Sequence, residues 1–253
     1  PFRSPLGHET DRRDGLDHAH PRAIAQRSFA KARRNPLAQT RRWDLPEGAF
    51  TDDDHDNPRV AGRLRRHDCS QITDGAACVV LASPRFAAEW ARTRDRDLDS
   101  TPRIAGWGHR TARMSYAGKL RDSADHSYVF PHVRGTITDA VARAGIAGVR
   151  GLDAIECHDC FTTTHYMAID HFGITKPGES WKAIENGDVF AEGPVPVNPS
   201  GGLIGCGHPV GASGVRMLFD VAKQVSGRAG ECQVQGATAA ATLNIGGSGP
   251  DEH

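Results

Sequence analysis

The chain has 253 residues, enough for one large domain or two ordinary ones. Its charge is balanced, with 31 basic and 31 acidic side chains, so the composition favours neither a nucleic-acid-binding surface nor an acidic tail. No run of ~18 apolar residues occurs, which excludes a membrane-spanning helix, and residues 1–21 lack the apolar segment of a signal peptide. Because the first residue is Pro1 rather than Met, we expect the sequence to begin inside a longer chain.

The six cysteines are too sparse for a disulfide scaffold, so we expect a reduced, cytoplasmic setting. Residues 1–66 carry scattered charges, including the acidic run 52–56, and show apolar periodicity only over a helical stretch at 22–34. This pattern predicts a loop-rich segment on the surface of something larger.

The pattern changes after Asp68. Residues 70–77 indicate a short helix start, and the five consecutive apolar residues 78–82 predict a buried strand. A helix and linker are predicted over 84–100, and a second strand over 103–108.

From Pro131 onward, predicted helices and strands alternate. The predicted elements are helices over 131–144, 162–172 and 210–225, and strands over 152–157 and 238–244. Pro131 suits the first turn of a helix, and Gly145 and Gly173 follow helix ends. This alternation is typical of a layered α/β fold with a mainly parallel sheet.

A glycine-rich stretch over 198–214 contains six glycines in seventeen residues, so its backbone can approach a ligand closely. His208 lies in this stretch just before the predicted helix, where the helix dipole favours neutral imidazole. A neutral imidazole can accept a proton from a thiol or hydroxyl. The alternative is a glycine-rich turn with an incidental histidine.

A second candidate site is the sequence Ile155-Glu-Cys-His-Asp-Cys-Phe161, which directly follows an apolar strand. Ligands of open α/β sheets bind beyond the carboxyl ends of strands. His158 could therefore donate a hydrogen bond to an oxyanion, and Cys160 could act as a nucleophile or as an acid/base thiol. Alternatively, Cys160 is a buried structural cysteine and His158 caps the next helix. A metal site from Cys157, His158 and Cys160 would need a fourth ligand, and we expect Cys157 to face the core.

Three motifs together resemble the thiolase superfamily, most closely the sterol-carrier-protein-2-type thiolases and their bacterial relatives: His158-Asp-Cys-Phe161, Asn198-Pro-Ser-Gly-Gly202 and Gly207-His-Pro-Val-Gly211. Ordinary thiolases have Asn-Glu-Ala-Phe at the first motif, and Cys-Ile-Gly-Gly where this chain has Asn244-Ile-Gly-Gly247. The segment Asp68–Ala77 resembles the one that precedes the last strand of the family's first half. The resemblance extends from about Phe29 to Gly247.

The resemblance implies a role for each matching residue. His208 would activate a nucleophilic cysteine and help to form an oxyanion hole, His158 would hold the thioester oxygen of the second substrate, and Cys160 would be the acid/base at the substrate α-carbon. Ser70 would touch the pantetheine arm of coenzyme A. We assign Ser200, Gly201 and Gly207 of the glycine-rich loop to the same coenzyme A site. Asn244 is not an acid/base, because an amide does not titrate.

The implied architecture consists of βαβαβ halves with helices on both faces of a mainly parallel sheet, with the N-terminal half largely absent. Residues 1–66 would be a remnant of the surface loop region, 67–100 the end of the N-terminal half, and 101–253 the C-terminal half. The family's nucleophilic cysteine segment has no counterpart here, so we expect a fragment that carries only the later motifs.

The resemblance predicts an acyl-CoA acyltransferase that cleaves or condenses thioesters through a cysteine acyl-enzyme. It implies no permanently bound cofactor, a coenzyme A thioester as substrate, a homodimer or tetramer, and no nucleic-acid partner. One alternative is a non-catalytic remnant that binds acyl-CoA or a partner. A further alternative is a thiolase-like retro-aldolase of steroid side chains with a small accessory partner subunit, against which the retained His208 counts.

Overall fold

The computed structural model describes residues 5–246. Its helices are α1 (Pro5–Asp14), α2 (Ala19–Arg34), α3 (Pro84–Thr93), α4 (Tyr116–Asp122), α5 (Pro131–Arg143), α6 (Thr162–Phe172), α7 (Ser180–Glu185), α8 (Gly202–Cys206) and α9 (Ser213–Val225). Its strands are β1 (Arg59–Ala61), β2 (Leu64–Arg65), β3 (Ala154–Cys157) and β4 (Ala240–Leu243). Asn244 lies within the described range, whereas Gly247 of the Asn-Ile-Gly-Gly motif lies outside it.

A parallel pair of strands organises the second half of the molecule. β3 and β4 pair in register from Ala154 opposite Ala240 to Cys157 opposite Leu243, and Val197 adds a parallel bridge to Ile155 on the other side of β3. Helix α9 packs against both strands. Every residue of β3 is buried, as expected of a central parallel strand whose two faces are both covered. The predicted α/β fold with parallel strand pairing is therefore confirmed.

Helix α6 lies at the centre of the core. All eleven of its residues are buried, which is typical of a helix surrounded by other elements rather than lying on a surface. Gly173 ends it with a φ of +84°, a left-handed conformation that glycine adopts at little cost. Helices α2, α5 and α7 pack against α6, and the same apolar core continues through β3.

The first 66 residues are more ordered than the sequence predicted. Helix α2 is longer than the predicted stretch, and one side of it, with Ile24 and Phe29, belongs to the main core. The predicted helical stretch at 22–34 is therefore confirmed by α2, whereas its burial was not predicted, because its apolar residues pack onto α6 and α8. The division of the chain at residues 66 and 100 stays a prediction.

The two strands predicted before residue 110 do not form. Residues 78–82 form no regular secondary structure and have no partner strand in the described part of the chain, and Val80 and Leu81 are 85% and 70% exposed. Residues 103–108 run as coil along α5, where a Cβ on Gly108 would lie 1.9 Å from the Thr136 carbonyl oxygen. Both predictions fail for one physical reason: a strand needs a neighbour to take its backbone hydrogen bonds. The helix start predicted at 70–77 is also wrong, because this segment forms no helix and Ile72 instead makes an isolated parallel bridge to His208.

The later elements match their predictions closely. The predicted strands 152–157 and 238–244 correspond to β3 and β4, and the predicted helices correspond to α5, α6 and α9, the last preceded by a short 3₁₀ turn at Val210–Ala212. Helix α3 covers the first part of the predicted helix and linker at 84–100. Among residues 5–246, no helix has the length and apolar character needed to cross a bilayer.

Replacing Ile155 tests whether β3 is the centre of the core. Ile155 is fully buried in β3, so Ile155→Ala should lower the free energy of unfolding by about 2–5 kcal/mol through lost burial and a residual cavity. Urea unfolding followed by circular dichroism measures this change. Ile104→Ala is the matched control, because Ile104 is 57% exposed and its truncation should change stability by less than about 0.5 kcal/mol. Equal losses in the two variants would contradict this core assignment.

Candidate functional site

Three chain segments meet beyond the carboxyl end of β3. The turn 158–161 follows β3 directly, the glycine-rich loop leads to His208, and the extended segment 69–73 lies between them. The Ser70 backbone N–H donates to the Cys160 carbonyl at 2.9 Å, and the His208 N–H donates to the Gln71 carbonyl at 2.8 Å. Ser70, Cys160 and His208, which are far apart in sequence, are thus joined by backbone hydrogen bonds.

The two candidate histidines face each other. The rings of His158 and His208 lie edge to face with centroids 5.1 Å apart, and both side chains are half-buried. His158 Nδ1 lies 3.1 Å from Asn244 Oδ1, just after β4, and His208 Nδ1 lies 2.7 Å from Ser213 Oγ, the first residue of α9. Each imidazole is therefore anchored through Nδ1 by a neighbouring element.

Burial makes both histidines neutral bases. It lowers the pKa of His158 and of His208 below the ordinary value of 6.5, and the neighbouring His158 lowers the pKa of His208 further. From the sequence, we expect the dipole of the next helix to keep His208 neutral. In the structure burial is the main cause of its lowered pKa, and His208 precedes α9 by five residues.

The tautomers decide what each imidazole can do. If His208 donates from Nδ1 to Ser213 Oγ, its Nε2 is free to accept a proton. The Asn244 oxygen likewise accepts from His158 Nδ1 as the amide is oriented, which leaves His158 Nε2 as an acceptor. Turning that amide by 180° would present its NH₂ group to Nδ1 and place the imidazole proton on Nε2, the tautomer that can donate to an oxyanion. The orientation of the Asn244 amide therefore determines which ring nitrogen of His158 carries the proton.

Cys160 is a protonated thiol at neutral pH. Burial raises its pKa to about 11, and a weak contact of 3.9 Å with Thr164 Oγ1 opposes this only partly. With its pKa raised, the thiol is a weaker acid than usual and gives its proton only to a strong base such as a carbanion, whereas acting as a base requires a substrate or neighbour that stabilises the thiolate. The side chain is half-buried, so it is not sealed in the core.

Two of the predicted coenzyme A residues lie behind the site rather than on it. Ser200 is 3% exposed, and its N–H and hydroxyl both donate to the fully buried Glu156 carboxylate, at 3.0 and 2.8 Å. Gly201 packs on α2, with φ at +105° and a virtual Cβ 3.0 Å from the Ala32 nitrogen. The structure thus gives both residues a packing role, and their contact with a ligand stays a prediction.

Gly207 is also enclosed but borders a cavity of about 350 Å³. Its φ of +96° favours glycine, and a Cβ there would meet the Thr73 side chain at 3.0 Å. The cavity also touches Cys206, Pro209 and Arg216, but not His158, Cys160 or Ser70. We therefore place the candidate site at the histidine pair and treat the cavity as its neighbour.

Cys157 faces the core, as predicted, and is fully buried. Burial raises the pKa of its thiol well above the ordinary value. Cys157, His158 and Cys160 do not converge as metal ligands. Within residues 5–246, the group of three potential ligands that does converge is Asp53, His55 and Asp56 in the acidic run, where His55 and Asp56 contact each other.

The sequence did not predict several contacts that build the site. Ser213 and Asn244 hold the imidazoles, and Asn198 accepts from the Cys157 N–H at 2.7 Å through its own side chain. The buried carboxylates Glu156 and Asp159 hold the glycine-rich loop. One signal for Glu156 was available, because a carboxylate within an otherwise apolar strand is rarely buried without a specific partner.

Comparison with known proteins assigns the chain to a family. Residues 118–253 match the family described as thiolase C-terminal domain-like. The chain therefore belongs to the thiolase C-terminal domain-like family, which confirms the resemblance seen in its motifs.

Curated relatives support this assignment. An acetyl-CoA acetyltransferase of Methanothermobacter thermautotrophicus is 34% identical over 220 residues, which span 86% of this chain and 52% of that protein. Human sterol carrier protein 2 is 28% identical over 70% of this chain and 31% of its own length. The benzoylsuccinyl-CoA thiolase subunit BbsB of Thauera aromatica is 27% identical over 75% of this chain and 46% of its own length. The chain thus spans about half of these relatives or less.

A solved structure shows the same fold. The structure titled Ltp2-ChsH2(DUF35) aldolase matches with a TM-score of 0.72 over 93% of this chain and 57% of that one. Its sequence identity is 18%, so the likeness concerns the fold alone.

Glu156 should make stability depend on pH. Burial, reinforced by nearby Asp220, raises its pKa from 4.5 to about 8. The folded protein therefore keeps a proton that the unfolded chain releases, and the free energy of unfolding should fall as pH rises from about 4.5 to about 8. Glu156→Gln should flatten this decline, as measured by urea unfolding at pH 5, 6, 7 and 8. The exposed Glu192→Gln variant is the control, and parallel curves for wild type and Glu156→Gln would contradict the prediction.

Proposed function

We propose that the site between His158 and His208 binds a coenzyme A thioester and takes part in thiolase-type acyl transfer. The observation that carries this proposal is the arrangement of two neutral, half-buried imidazoles, edge to face at 5.1 Å, on the segments that also carry Cys160 and Ser70. Membership of the thiolase C-terminal domain-like family and similarity to an acetyl-CoA acetyltransferase support it.

The chemistry needs what these groups supply. In the condensing direction, a cysteine thiolate holds one acyl group, a base removes the α-proton of a second thioester, and the carbanion attacks the acyl carbon with release of the cysteine thiolate. In the thiolytic direction the same bonds are made and broken in reverse. Hydrogen-bond donors must stabilise the oxyanion on each thioester. In this proposal His208 accepts the thiol proton and Cys160 exchanges the proton at the α-carbon. His158, in the tautomer with its proton on Nε2, holds the thioester oxygen.

In this proposal the cysteine that carries the acyl group comes from a part of the whole protein outside the present sequence. The relatives are about twice as long as the matched region or longer, so an upstream segment can supply it. The chain then contributes the general base, the oxyanion contacts and the acid/base thiol. Coenzyme A thioester is the substrate in this proposal, and no resident cofactor is required.

Self-association forms part of the same proposal. Several large apolar side chains are exposed over residues 72–107, and the apolar segment 78–82 has no strand partner within the described residues. Unpaired strand edges of this kind promote association with another chain or segment. We infer that the site is completed when the protein forms a homodimer or tetramer, or when it binds a small accessory partner subunit.

Replacing His208 tests the proposed general base. His208→Ala should lower turnover of acetoacetyl-CoA by about two to four orders of magnitude, because neutral imidazole no longer takes the thiol proton. Spectrophotometric measurement of thioester loss by the whole protein gives the rate. The exposed His126→Ala variant should leave the rate unchanged. An unaltered rate in His208→Ala would remove His208 from the mechanism.

Replacing Cys160 separates the two chemical steps. Cys160→Ala should abolish deuterium exchange at the α-carbon of acetyl-CoA in D₂O, as followed by proton NMR. The acetyl adduct that intact-protein mass spectrometry detects should remain, because acylation does not need this thiol. Cys232→Ala is the matched control, since Cys232 is another half-buried thiol with a pKa raised by burial. Loss of both signals, or an adduct on Cys160 itself, would show that Cys160 has a different role.

A further inference from the structure

Asp159 lies between the two proposed reactive residues of the turn, yet its side chain is directed away from solvent. Its neighbours His158 and Cys160 are half-buried, whereas Asp159 is 0% exposed. Its Oδ1 accepts a hydrogen bond from the Leu203 backbone N–H at 2.5 Å. The turn that carries His158 is thereby tied to the loop that leads to His208.

The glycine-rich loop is shaped to receive this carboxylate. A Cβ on Gly202 would lie 2.1 Å from Asp159 Oδ2, far closer than atoms can approach. Gly202 also has a φ of +66°, where other residues are strained. The fit therefore depends on the absence of a side chain at residue 202.

The second oxygen of Asp159 is exceptional for a buried carboxylate. Oδ2 has no hydrogen-bond partner within the described part of the chain, and it lies 3.6 Å from His165 Nδ1. Leaving a buried acceptor unsatisfied lowers stability, so packing alone does not explain a carboxylate here. Its negative charge raises the pKa of both His158 and His208, against the effect of burial.

We propose that Asp159 is a positioning residue of the site, which ties the turn 158–161 to the glycine-rich loop and places a fixed negative charge behind the two imidazoles. The inference deepens the proposed function and rests on it for its catalytic meaning. When His208 takes a proton from a thiol, it becomes an imidazolium. Asp159 stabilises that cation without touching the substrate, while its bond to Leu203 keeps the two rings opposed.

Other groups also act on the two imidazoles. Arg216 on α9 lowers the pKa of His208, the imidazole of His158 lowers it as well, and the Asn244 side chain raises the pKa of His158. The Asp159→Asn substitution alters none of these residues. The Asp159→Asn variant also keeps an oxygen that can accept from Leu203, so it removes the charge and retains the tie.

The decisive experiment measures the imidazole pKa values in the full chain. Protein with ¹³C-labelled histidine is titrated by NMR, and the signals of His158 and His208 are assigned by substitution. In Asp159→Asn, both pKa values should fall by about half a unit or more, as expected when a nearby opposite charge is lost. Asp153→Asn is the matched control, because Asp153 accepts from the Thr238 and Ala239 backbone N–H groups at the opposite end of β3. Unchanged values in Asp159→Asn, or equal shifts in the control, overturn the proposal.

A second variant tests the mechanical tie. Gly202→Ala changes no charge but pushes a methyl group onto Asp159 Oδ2. A nuclear Overhauser contact between the His158 and His208 rings should be seen in the wild type and lost in this variant, whereas Gly211→Ala, with open space around its Cβ, should keep it. A contact that persists in folded Gly202→Ala overturns the positioning role. If that variant does not fold, the titration of Asp159→Asn still decides the matter.

These measurements are independent of turnover. If wild type shows no binding of acetyl-CoA while the pKa values shift as expected, the proposed function fails and the positioning role stands. If wild type turns thioesters over, Asp159→Asn should lower kcat and leave KM unchanged, because the charge acts on the proton transfer and not on substrate binding. A raised KM with unchanged kcat would place Asp159 in substrate binding and overturn the inference.

Discussion

The candidate site depends on hydrogen bonds that fasten an irregular loop to a buried strand. The Glu156 carboxylate accepts hydrogen bonds from the backbone N–H and the hydroxyl of Ser200. Asn198 forms hydrogen bonds with β3 through both its backbone N–H and its side-chain oxygen. Loops rich in glycine lose much conformational entropy on folding, so the loop before His208 would not keep one shape without such anchors. This anchoring requires the Glu156 carboxyl group to be buried in the core, where its pKa is raised from 4.5 to about 8.

Strand β3 supports both the glycine-rich loop and the candidate site. It carries the residues that anchor the loop, and His158 and Cys160 lie just beyond its carboxyl end. Burial keeps the two imidazoles neutral and the Cys160 thiol protonated, so one physical cause sets the charge of all three groups. The Asp159 carboxylate opposes the effect of burial, because its charge raises the pKa of both histidines. The pKa values of the two histidines thus reflect desolvation, which lowers both, and nearby charges, of which Asp159 raises both and Arg216 lowers that of His208.

The elements that the sequence predicted well are those held by the described core. Helices α5, α6 and α9 and strands β3 and β4 carry clear periodicity or apolar runs, and each finds its packing partner in this chain. Residues 78–82 and 103–108 carry equally clear strand patterns but have no strand partner in the described range. An apolar run indicates which structure a segment forms when other elements pack against it. It does not show whether those elements are present, and this chain spans about half of its relatives or less.

The sequence by itself determined the class of fold, the family and the identity of the candidate residues, because motifs such as His158-Asp-Cys-Phe161 and Gly207-His-Pro-Val-Gly211 are local patterns with fixed spacing. Only the tertiary structure decided which of them face a common space. It brought His158, Cys160, His208 and Ser70 together and placed Ser200 and Gly201 behind them. It also revealed Asp159, Ser213 and Asn244 as the groups that orient the imidazoles or set their charge. Burial and through-space charge depend on residues distant in the chain, and no local pattern can specify them.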